Sequence, residues 1–545
     1  MITSAVDELV AISPRPEPRS AAVTDPDAVV IGAGPNGLVA ANRLADAGWS
    51  VVVLEANAVP GGAVRTAEVT APGFRNDLFS AFFPFTAASP VMGDLDLPAH
   101  GLTWTHAPAV LAHPLAGRAA AMLSRELDAT VAGLDQGADG DGEAFRRLFA
   151  DWTAMSRPFL DALLRPFPPV RAGAALTRTV GLTGLRELTR LGLMPLRRFV
   201  QEHFVGDQAA LLFAGCALHA DLTPEASGSA LFGWLLVCLG QQVGFPVPVG
   251  GAGAITDALV SRAAHGGVDV RCGVRVERIH VRGGRATAVA TADGDVVAAR
   301  YAVLADCDAA HLFTSMVGLE HLPPAYAARI GRIQRSSGTF KVDWALSGPI
   351  PWSDPAVATA GTVHIADGLD ELSVAATQLA IGHVPAAPFL LVGQMTTADP
   401  SRSPPGTESA WAYTHVPSLV RGDAGGGGIT GRWDTDDCRR FTDRIEGRIE
   451  RLAPGFGALI MARHVMAPPD LQRADANLVG GDIGGGTAQL HQQAIFRPVS
   501  GLARPETPVR RLYLASASAH PGGAVHGACG ANAARAAIVG RRLRR

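Results

Sequence analysis

Hydrophobic positions near the start of the chain follow a strand, helix, strand order. A short β-branched run at 29–31 ends in glycines, and residues 36–47 place apolar side chains at the spacing of one helix face. A second apolar run at 50–54 ends in Glu55. Two short apolar runs joined by an amphipathic helix are typical of a βαβ unit, so this pattern predicts parallel strands.

The apolar spacing changes several times further along the chain. Residues 140–245 follow helical patterns interrupted by prolines, whereas residues 268–305 alternate at the period of a strand and contain GG and DG turns. Residues 335–480 mix strand-like and helical patterns. A strand-like run at 510–515 and a helical stretch at 531–540 then return to the α/β pattern. The pattern therefore predicts a nucleotide-binding domain assembled from separated segments.

Composition narrows the class of protein. The 545 residues suffice for two domains, and 47 basic against 50 acidic side chains give no electrostatic reason to bind nucleic acid. The six cysteines are widely spaced, which favours reduced thiols in a cytoplasmic protein and no metal site. No secretory signal is expected, and the longest apolar run, 226–240, is shorter than the roughly 20 residues of a membrane span. Basic positions are almost all arginine rather than lysine, and this bias suggests a bacterial source.

The first glycine-rich turn carries a dinucleotide fingerprint. Gly32, Gly34 and Gly37 form a GxGxxG pattern between the predicted strand and helix. In this pattern the glycines permit a tight turn, close approach of a pyrophosphate and close packing of the helix. Glu55 at the end of the next strand is the expected ligand of the ribose hydroxyls. The remaining contacts are expected from Ala33, Asn36 and Ala56. The fingerprint alone leaves NAD and FAD open.

Two further glycine-rich segments extend this site. The segment 58–66 contains two glycines and an arginine, whose backbone N–H groups and guanidinium suit an anion. The segment 512–534 places a glycine turn before a helix, which directs N–H groups at one point. Their candidate cofactor-binding residues are Gly61, Gly62, Arg65, Thr66, Pro521, Gly522, Gly523, Ala524 and Val525.

These segments resemble the flavoprotein superfamily that includes amine oxidases and phytoene desaturases. The order of motifs along the chain is similar to phytoene-desaturase-like oxidoreductases, including the pyridine-nucleotide-disulfide-oxidoreductase-domain relatives of animals. The resemblance implies non-covalent FAD, with the GGxxRT segment along its pyrophosphate and the PGG segment at the flavin. It also implies that the strand around Val276 contacts the adenine. The implied fold is α/β: a discontinuous Rossmann-like FAD-binding domain of the glutathione-reductase type, with a mixed α+β substrate domain.

The expected domain boundaries follow from the patterns and the resemblance together. We expect a disordered tail, three parts of the FAD-binding domain, a helical domain facing substrate or membrane, and a substrate domain. In that order the segments are 1–24 for the tail, 25–110, 246–330 and 481–545 for the FAD-binding domain, 111–245 for the helical domain and 331–480 for the substrate domain.

Candidate catalytic residues are few. Lys341 is the only lysine of the chain, and its position on a predicted strand resembles that of the amine-oxidase lysine that holds a water near the flavin. His520 and His526 flank the PGG turn and are candidates for proton transfer, with backbone-bonded histidines as the alternative. The candidate substrate contacts are Phe82, Phe83, Trp234, Phe245, His491 and Gln492, with ordinary core packing as the alternative for the aromatic residues.

The leading hypothesis is an FAD-dependent desaturase that forms a C=C bond in a hydrophobic isoprenoid or polyene substrate, with quinone or oxygen as electron acceptor. The alternatives are a flavin amine or small-molecule oxidase, a flavin-bound interaction protein with little turnover, and a flavin-dependent isomerase. Arginines interleaved with apolar residues between 158 and 204 suggest peripheral contact with the inner face of a membrane. A solvated helix face explains them equally well.

Overall fold

The structure is a computed structural model that describes residues 25–501 and 503–543. The tail predicted at 1–24 lies outside these residues. The described chain forms a parallel sheet, a mixed sheet and a helical layer. This arrangement confirms the predicted α/β class and the discontinuous nucleotide-binding domain.

The parallel sheet contains five strands drawn from distant parts of the sequence. Its order is Leu512–Leu514, Ala302–Ala305, Ala28–Ile31, Val51–Glu55 and Asp269–Cys272. All four pairings are parallel, and the three central strands are fully buried. Since both faces are covered, these strands read as continuous apolar runs rather than alternating ones.

Helices and a small sheet cover the two faces of the parallel sheet. Three helices share an apolar cluster with one face: Pro35–Asp46, Gly253–His265 and Ala528–Arg542. The antiparallel strands Val276–Arg282, Arg285–Thr291 and Val296–Ala298 cover the other face together with a π-helix at Leu312–Val317. The residues predicted to alternate as strands, 268–305, therefore belong to two different sheets.

The mixed sheet has seven strands. Its order is Ile460–Met466, Gly338–Leu346, Glu408–Val416, Leu390–Gln394, Ala360–Ile365, Ala109–Leu115 and Arg118–Leu123. Neighbouring strands are antiparallel except for the parallel pair formed by Ala109–Leu115 and Ala360–Ile365. The helix Thr435–Leu452 packs its apolar face on this sheet through Phe441, Ile445 and Ile449.

A helical layer covers the opposite face of the mixed sheet. It contains Leu127–Gly137, Asp141–Leu164, Val170–Leu193, Leu196–His203, Asp207–Leu218 and Ser229–Val243. The helical segment predicted from residue 111 therefore begins only at Leu127, because 109–123 forms two strands of the mixed sheet. Among the helices that the structure describes, none combines the length and the apolar composition needed to cross a bilayer.

The helix Val170–Leu193 is the least buried long element. It buries only Ala172 and Leu176 and is interrupted at Gly181, where φ is 69°. Leu182 on this helix is 80% exposed. Several arginines of the predicted lipid-facing region are neutralised by acidic neighbours, including Arg190 and Arg198, which both bind Glu202. Membrane contact through this surface stays a prediction.

Shorter elements connect these layers. Two-stranded ladders pair Thr66–Ala67 with Asn76–Asp77, Trp104–Thr105 with Val247–Pro248, and His383–Val384 with Gly422–Asp423. The short α-helices are Pro84–Ala88, Pro90–Gly93, Ala309–His311, Pro324–Ile330, Leu369–Ala380, Met395–Ala398, Phe456–Leu459 and Pro468–Ala474. The 3₁₀ turns are Leu97–His100, Leu319–His321, Pro355–Thr359, Pro400–Arg402, Val479–Gly481, Leu490–Gln492 and Ala494–Phe496.

A buried ion pair joins the nucleotide-binding segments to the mixed-sheet side. The Arg402 guanidinium lies 2.7 Å from the Asp77 carboxylate, and both side chains are fully buried. Asp77 also accepts hydrogen bonds from the Thr66 hydroxyl and the Ala252 N–H. One carboxylate therefore ties together three separate segments of the chain.

We expect Arg402→Met to destabilise the fold by about 3–5 kcal/mol, because it leaves the Asp77 carboxylate buried without its cation. Urea unfolding followed by circular dichroism measures this change. Arg439→Met is the matched control, since Arg439 pairs with Asp443 at the surface and exposed pairs contribute little. Equal unfolding midpoints for Arg402→Met and the control would contradict the role of the buried pair.

Candidate functional site

The fingerprint turn is packed so closely that side chains do not fit. Gly32 has φ of 94°, a left-handed conformation that favours glycine. A Cβ at position 37 would lie 2.1 Å from the Gly32 carbonyl oxygen. The helix Pro35–Asp46 therefore starts directly against the strand end, so that its N-terminus lies at the turn.

Glu55 lies beside this turn, at the end of the second strand. Its side chain is buried, and its carboxylate accepts hydrogen bonds from the Ala33 N–H at 2.7 Å and the Asn57 N–H at 2.8 Å. These bonds hold the carboxylate next to the glycines, where a ribose would follow a bound pyrophosphate. Its contact with the ribose stays a prediction, as does adenine contact at Val276.

A second carboxylate at the turn was missed by sequence reasoning. Asp306 follows the strand Ala302–Ala305 and accepts the Gly37 N–H at 2.7 Å. Burial raises the pKa of Asp306 to about 8, against the lowering effect of that hydrogen bond. An acidic residue after a buried strand was the available signal, because the carboxyl ends of parallel strands meet at one edge.

The GGxxRT segment lies against the fingerprint turn. A Cβ at Gly62 would lie 3.1 Å from the Gly34 Cα, so two glycine backbones face each other without intervening side chains. Arg65 donates hydrogen bonds to the carbonyls of Gly62 and Ala474. The facing glycine backbones form a cradle. This cradle and the guanidinium beside it suit a pyrophosphate, whereas the Gly37 N–H at the helix start is taken by Asp306.

Thr66 has a structural position. Its hydroxyl donates to Asp77 and accepts the Gly253 N–H at 3.0 Å. These bonds connect the end of the GGxxRT segment with the helix Gly253–His265. The side chain therefore holds the segment in place.

The PGG segment forms the opposite side of the site. Gly522 has φ of 116°, and a Cβ there would lie 3.3 Å from the Arg497 guanidinium carbon. A Cβ at Gly523 would lie 3.1 Å from the Gly484 carbonyl oxygen. Two glycine-rich segments therefore stack on each other, and their backbones, rather than side chains, form this surface.

Arg497 supports these stacked glycine segments from within the protein. Its buried guanidinium donates hydrogen bonds to the carbonyls of Thr487, Gly484, Gly485 and Ala517. Sequence reasoning overlooked Arg497 because its partners are backbone atoms that no side-chain pattern reveals. Arg497 therefore fixes the position of the PGG turn, at which the flavin is expected.

The two histidines beside the PGG turn bind backbone groups. This agrees with the alternative to proton transfer, in which both are backbone-bonded. His520 Nε2 donates to the Arg165 carbonyl at 3.0 Å, and His526 Nδ1 accepts the Ala528 N–H at 3.0 Å. Burial lowers the pKa of each to about 4. Neither side chain lines the aromatic cavity beside the PGG turn, and a role for them in proton transfer stays a prediction.

A cavity of about 320 Å³ lies between the PGG turn, the mixed sheet and the helical layer. Aromatic side chains form much of its wall. They are Phe79, Phe82, Phe83, Phe85, Phe232, Phe245, Trp411 and Tyr413. Three of the predicted substrate contacts, Phe82, Phe83 and Phe245, are thus brought together. A mainly apolar, partly enclosed pocket of this kind suits a small organic ligand.

The other predicted substrate contacts lie outside this wall. Trp234 is a core residue whose indole N–H donates to the Leu148 carbonyl. His491 and Gln492 belong to a 3₁₀ turn and bind Gln334 at the surface. Their neighbour Gln493 lines the cavity instead. Substrate contact by Trp234, His491 and Gln492 stays a prediction that this cavity does not support.

Lys341 lies in the cavity wall on the strand Gly338–Leu346. Its ammonium is buried, forms an ion pair with Asp343, and sits 5.9 Å from the centre of the Trp411 ring. Burial raises the pKa of Asp343, while the Lys341 charge opposes that rise. The strand register places Lys341 opposite Tyr413, which sequence alone could not reveal.

Comparisons with known proteins agree with this geometry. The chain is 29% identical over 551 residues to the mouse pyridine nucleotide-disulfide oxidoreductase domain-containing protein 2, covering 93% of this chain and 92% of that one. It is 25% identical to one polypeptide of the limonene dehydrogenase of Castellaniella defragrans, covering 93% and 94%. Cyclohexylamine oxidase from Brevibacterium oxydans shares the fold at a TM-score of 0.54 and 16% identity, covering 96% and 100%.

A family model described as flavin containing amine oxidoreductase matches residues 36–355. This match begins within the fingerprint and includes the whole strand that carries Lys341. Bacterial phytoene desaturases are also among the relatives, which confirms the resemblance seen in the sequence. The chain belongs to the flavin containing amine oxidoreductase family.

Proposed function

We propose that the chain binds FAD non-covalently and removes two hydrogens from an apolar, isoprenoid-like substrate, forming a C=C bond. The family supports a flavin cofactor. Bound flavin would supply a hydride acceptor, and the protein would bind, orient and desolvate the substrate. The glycine cradle, Glu55 and Arg65 would hold the nucleotide, and the PGG turn would face the flavin.

The state of the charged groups in the cavity carries this proposal. Its charged lining residues are Lys341, Asp221 and Arg497, and each is bound to a partner in the protein. Lys341 pairs with Asp343, Asp221 lies 2.7 Å from His415, and Arg497 binds backbone carbonyls. A cationic amine would need a carboxylate without its own cation, whereas an apolar substrate needs only the aromatic wall.

The names of relatives support the same substrate class. Limonene dehydrogenase and hydroxyneurosporene desaturase are named for isoprenoid substrates, and the latter is 31% identical over 306 residues. Each methylene of such a substrate buried against the wall would contribute about 0.8 kcal/mol, so polar anchors are unnecessary. We propose quinone or oxygen as the electron acceptor.

Oxidation of an amine is the second candidate, favoured by Lys341 in the cavity wall and by the fold of the amine oxidases. In that case an uncharged amine would have to enter, because the wall carboxylates are already paired. Rapid peroxide formation with amines, and no flavin reduction by isoprenoids, would favour this candidate.

We expect Glu55→Ala and Gly34→Val to give folded protein with little flavin. The first removes the carboxylate beside the turn, and the second adds a side chain whose Cβ would lie 2.8 Å from an Asp306 carboxylate oxygen. Flavin content per protein, read from the visible spectrum after gel filtration, measures the loss. Glu277→Ala and Gly447→Ala, both exposed, are the controls and should keep wild-type flavin content. Full flavin content in both site variants would remove the cradle from the proposal.

We expect anaerobic addition of limonene or phytoene to bleach the visible absorption of the bound flavin, because a flavin that accepts a hydride loses its visible absorption band. Readmission of oxygen, or addition of a quinone, should restore the colour without loss of enzyme. Precipitation of the protein with trichloroacetic acid should release the flavin into the supernatant, since no covalent bond is proposed. Bleaching by amines alone would contradict the substrate class.

We expect Lys341→Met to retain FAD but to slow flavin reduction by about 10-fold or more, because the ammonium and its paired Asp343 shape the wall next to Trp411. Stopped-flow reduction under nitrogen measures the rate. Lys341→Arg keeps the charge and is the matched control for its loss. Wild-type kinetics in Lys341→Met would leave this residue with a packing role only.

A further inference from the structure

Asp221 and His415 form a charged pair in the cavity wall that sequence reasoning did not single out. Asp221 follows the helix Asp207–Leu218, and His415 lies on the strand Glu408–Val416. Asp221 Oδ1 lies 2.7 Å from His415 Nδ1. The histidine is buried, while the Asp221 side chain keeps 13% exposure and lines the cavity.

The hydrogen bonds of His415 determine its charge. Its Nε2 lies 3.1 Å from the Leu218 carbonyl oxygen, which can only accept, so this nitrogen carries a proton. Its Nδ1 faces a carboxylate oxygen, so a second proton lies between them. Burial would lower the pKa of His415, but the charge of Asp221 and its bond to the ring raise it above the usual value. His415 is therefore an imidazolium that is paired with Asp221.

Backbone conformation at Asp221 points to the same role. Its φ is 57°, a left-handed conformation that non-glycine residues rarely adopt. Its N–H donates to the Leu218 carbonyl, the same oxygen that receives His415. Both members of the pair are thus anchored to one helix end, and this fixes the carboxylate at the cavity surface.

Asp221 lines the same cavity as Pro521 and Gly523 of the PGG turn. Burial raises the pKa of Asp482, and the nearby Asp221 charge raises it further. Asp482 in turn accepts hydrogen bonds from the N–H groups of Gly484 and Gly486, in the glycine segment that stacks on the PGG turn. The Asp221 charge therefore acts on a carboxylate that binds the glycine segment stacked on the PGG turn.

We propose that Asp221 is the catalytic residue that accepts the proton lost from substrate, and that His415 is its positioning residue; this inference rests on the proposed desaturation. One substrate carbon loses a hydride to the bound flavin. The adjacent carbon loses a proton to an Asp221 carboxylate oxygen, and the electron pair of that C–H bond forms the new C=C bond. Two electrons leave the substrate with the hydride, and Asp221 ends the step as a carboxylic acid.

A carboxylate suffices for this step because departure of the hydride makes the adjacent C–H bond strongly acidic. The other titratable groups of the wall are less suited. Lys341 is an ammonium without a lone pair while it remains paired with Asp343. His219 Nε2 lies 2.8 Å from His364 Nε2, so this nitrogen is already engaged in a hydrogen bond within the protein.

The test compares Asp221→Asn with wild type in FAD-loaded full-length protein. Asparagine keeps the shape of the side chain but cannot accept the proton. We expect flavin reduction by limonene or phytoene to slow by about 100-fold or more, the usual contribution of a general base. Flavin content and reduction by dithionite should stay unchanged, because neither needs a base in the wall. Asp151→Asn, an exposed carboxylate on the helix Asp141–Leu164, is the matched control.

The outcomes separate the two proposals. Slow reduction in Asp221→Asn alone supports Asp221 as the proton acceptor. Wild-type reduction rates in Asp221→Asn overturn this role while desaturation stands. If neither isoprenoid reduces the wild-type flavin, the proposed function fails, and the role of Asp221 fails with it.

A second measurement needs no substrate. In protein labelled with ¹⁵N-histidine, the resonances missing from His415→Gln belong to His415. We expect both ring nitrogens of His415 to be protonated at neutral pH in wild type, and one of them to lose its proton in Asp221→Asn. A His415 ring with one bare nitrogen in wild type would overturn the charged pair.

Discussion

The buried ion pair between Asp77 and Arg402 is the constraint on which the geometry of the cavity depends. It joins the hairpin that contains Asn76–Asp77 with the 3₁₀ turn Pro400–Arg402. This turn connects two strands of the mixed sheet. A charge buried this deeply is tolerated only when its partner stays within reach, so the two sides cannot slide past each other. The ion pair therefore also fixes the width of the cavity between them. It fixes the distance from the nucleotide cradle to Lys341 in the same way.

Local chemistry explains how much of this protein could be predicted from its sequence. The glycine fingerprint and its flanking strands are set by short-range patterns, and their bounds were predicted within a residue or two. The partners of the site were not. Asp306 reaches Gly37 across 269 positions, and Asp221 meets His415 only through the packing of a helix on a sheet. Apolar spacing carries no information about such contacts.

The cavity combines an aromatic wall with charges that are neutralised inside the protein. Burying an ion costs several kcal/mol unless a partner compensates, and here each partner stands behind the wall rather than in the space itself. The ligand therefore meets rings and aliphatic groups, with polar atoms held at a few fixed points. Such a surface would discriminate between ligands by their shape.

The presence of a single lysine has a further consequence for the chemistry of this chain. Amine-directed reagents usually modify a protein at many surface sites, but here the one ε-amino group, Lys341, is 3% exposed and lies in the cavity wall. Apart from the α-amino group, the outer surface offers such reagents nothing to react with. Acylation or reductive methylation of this protein would therefore report on access to its interior, and a ligand that fills the cavity would protect the side chain from modification.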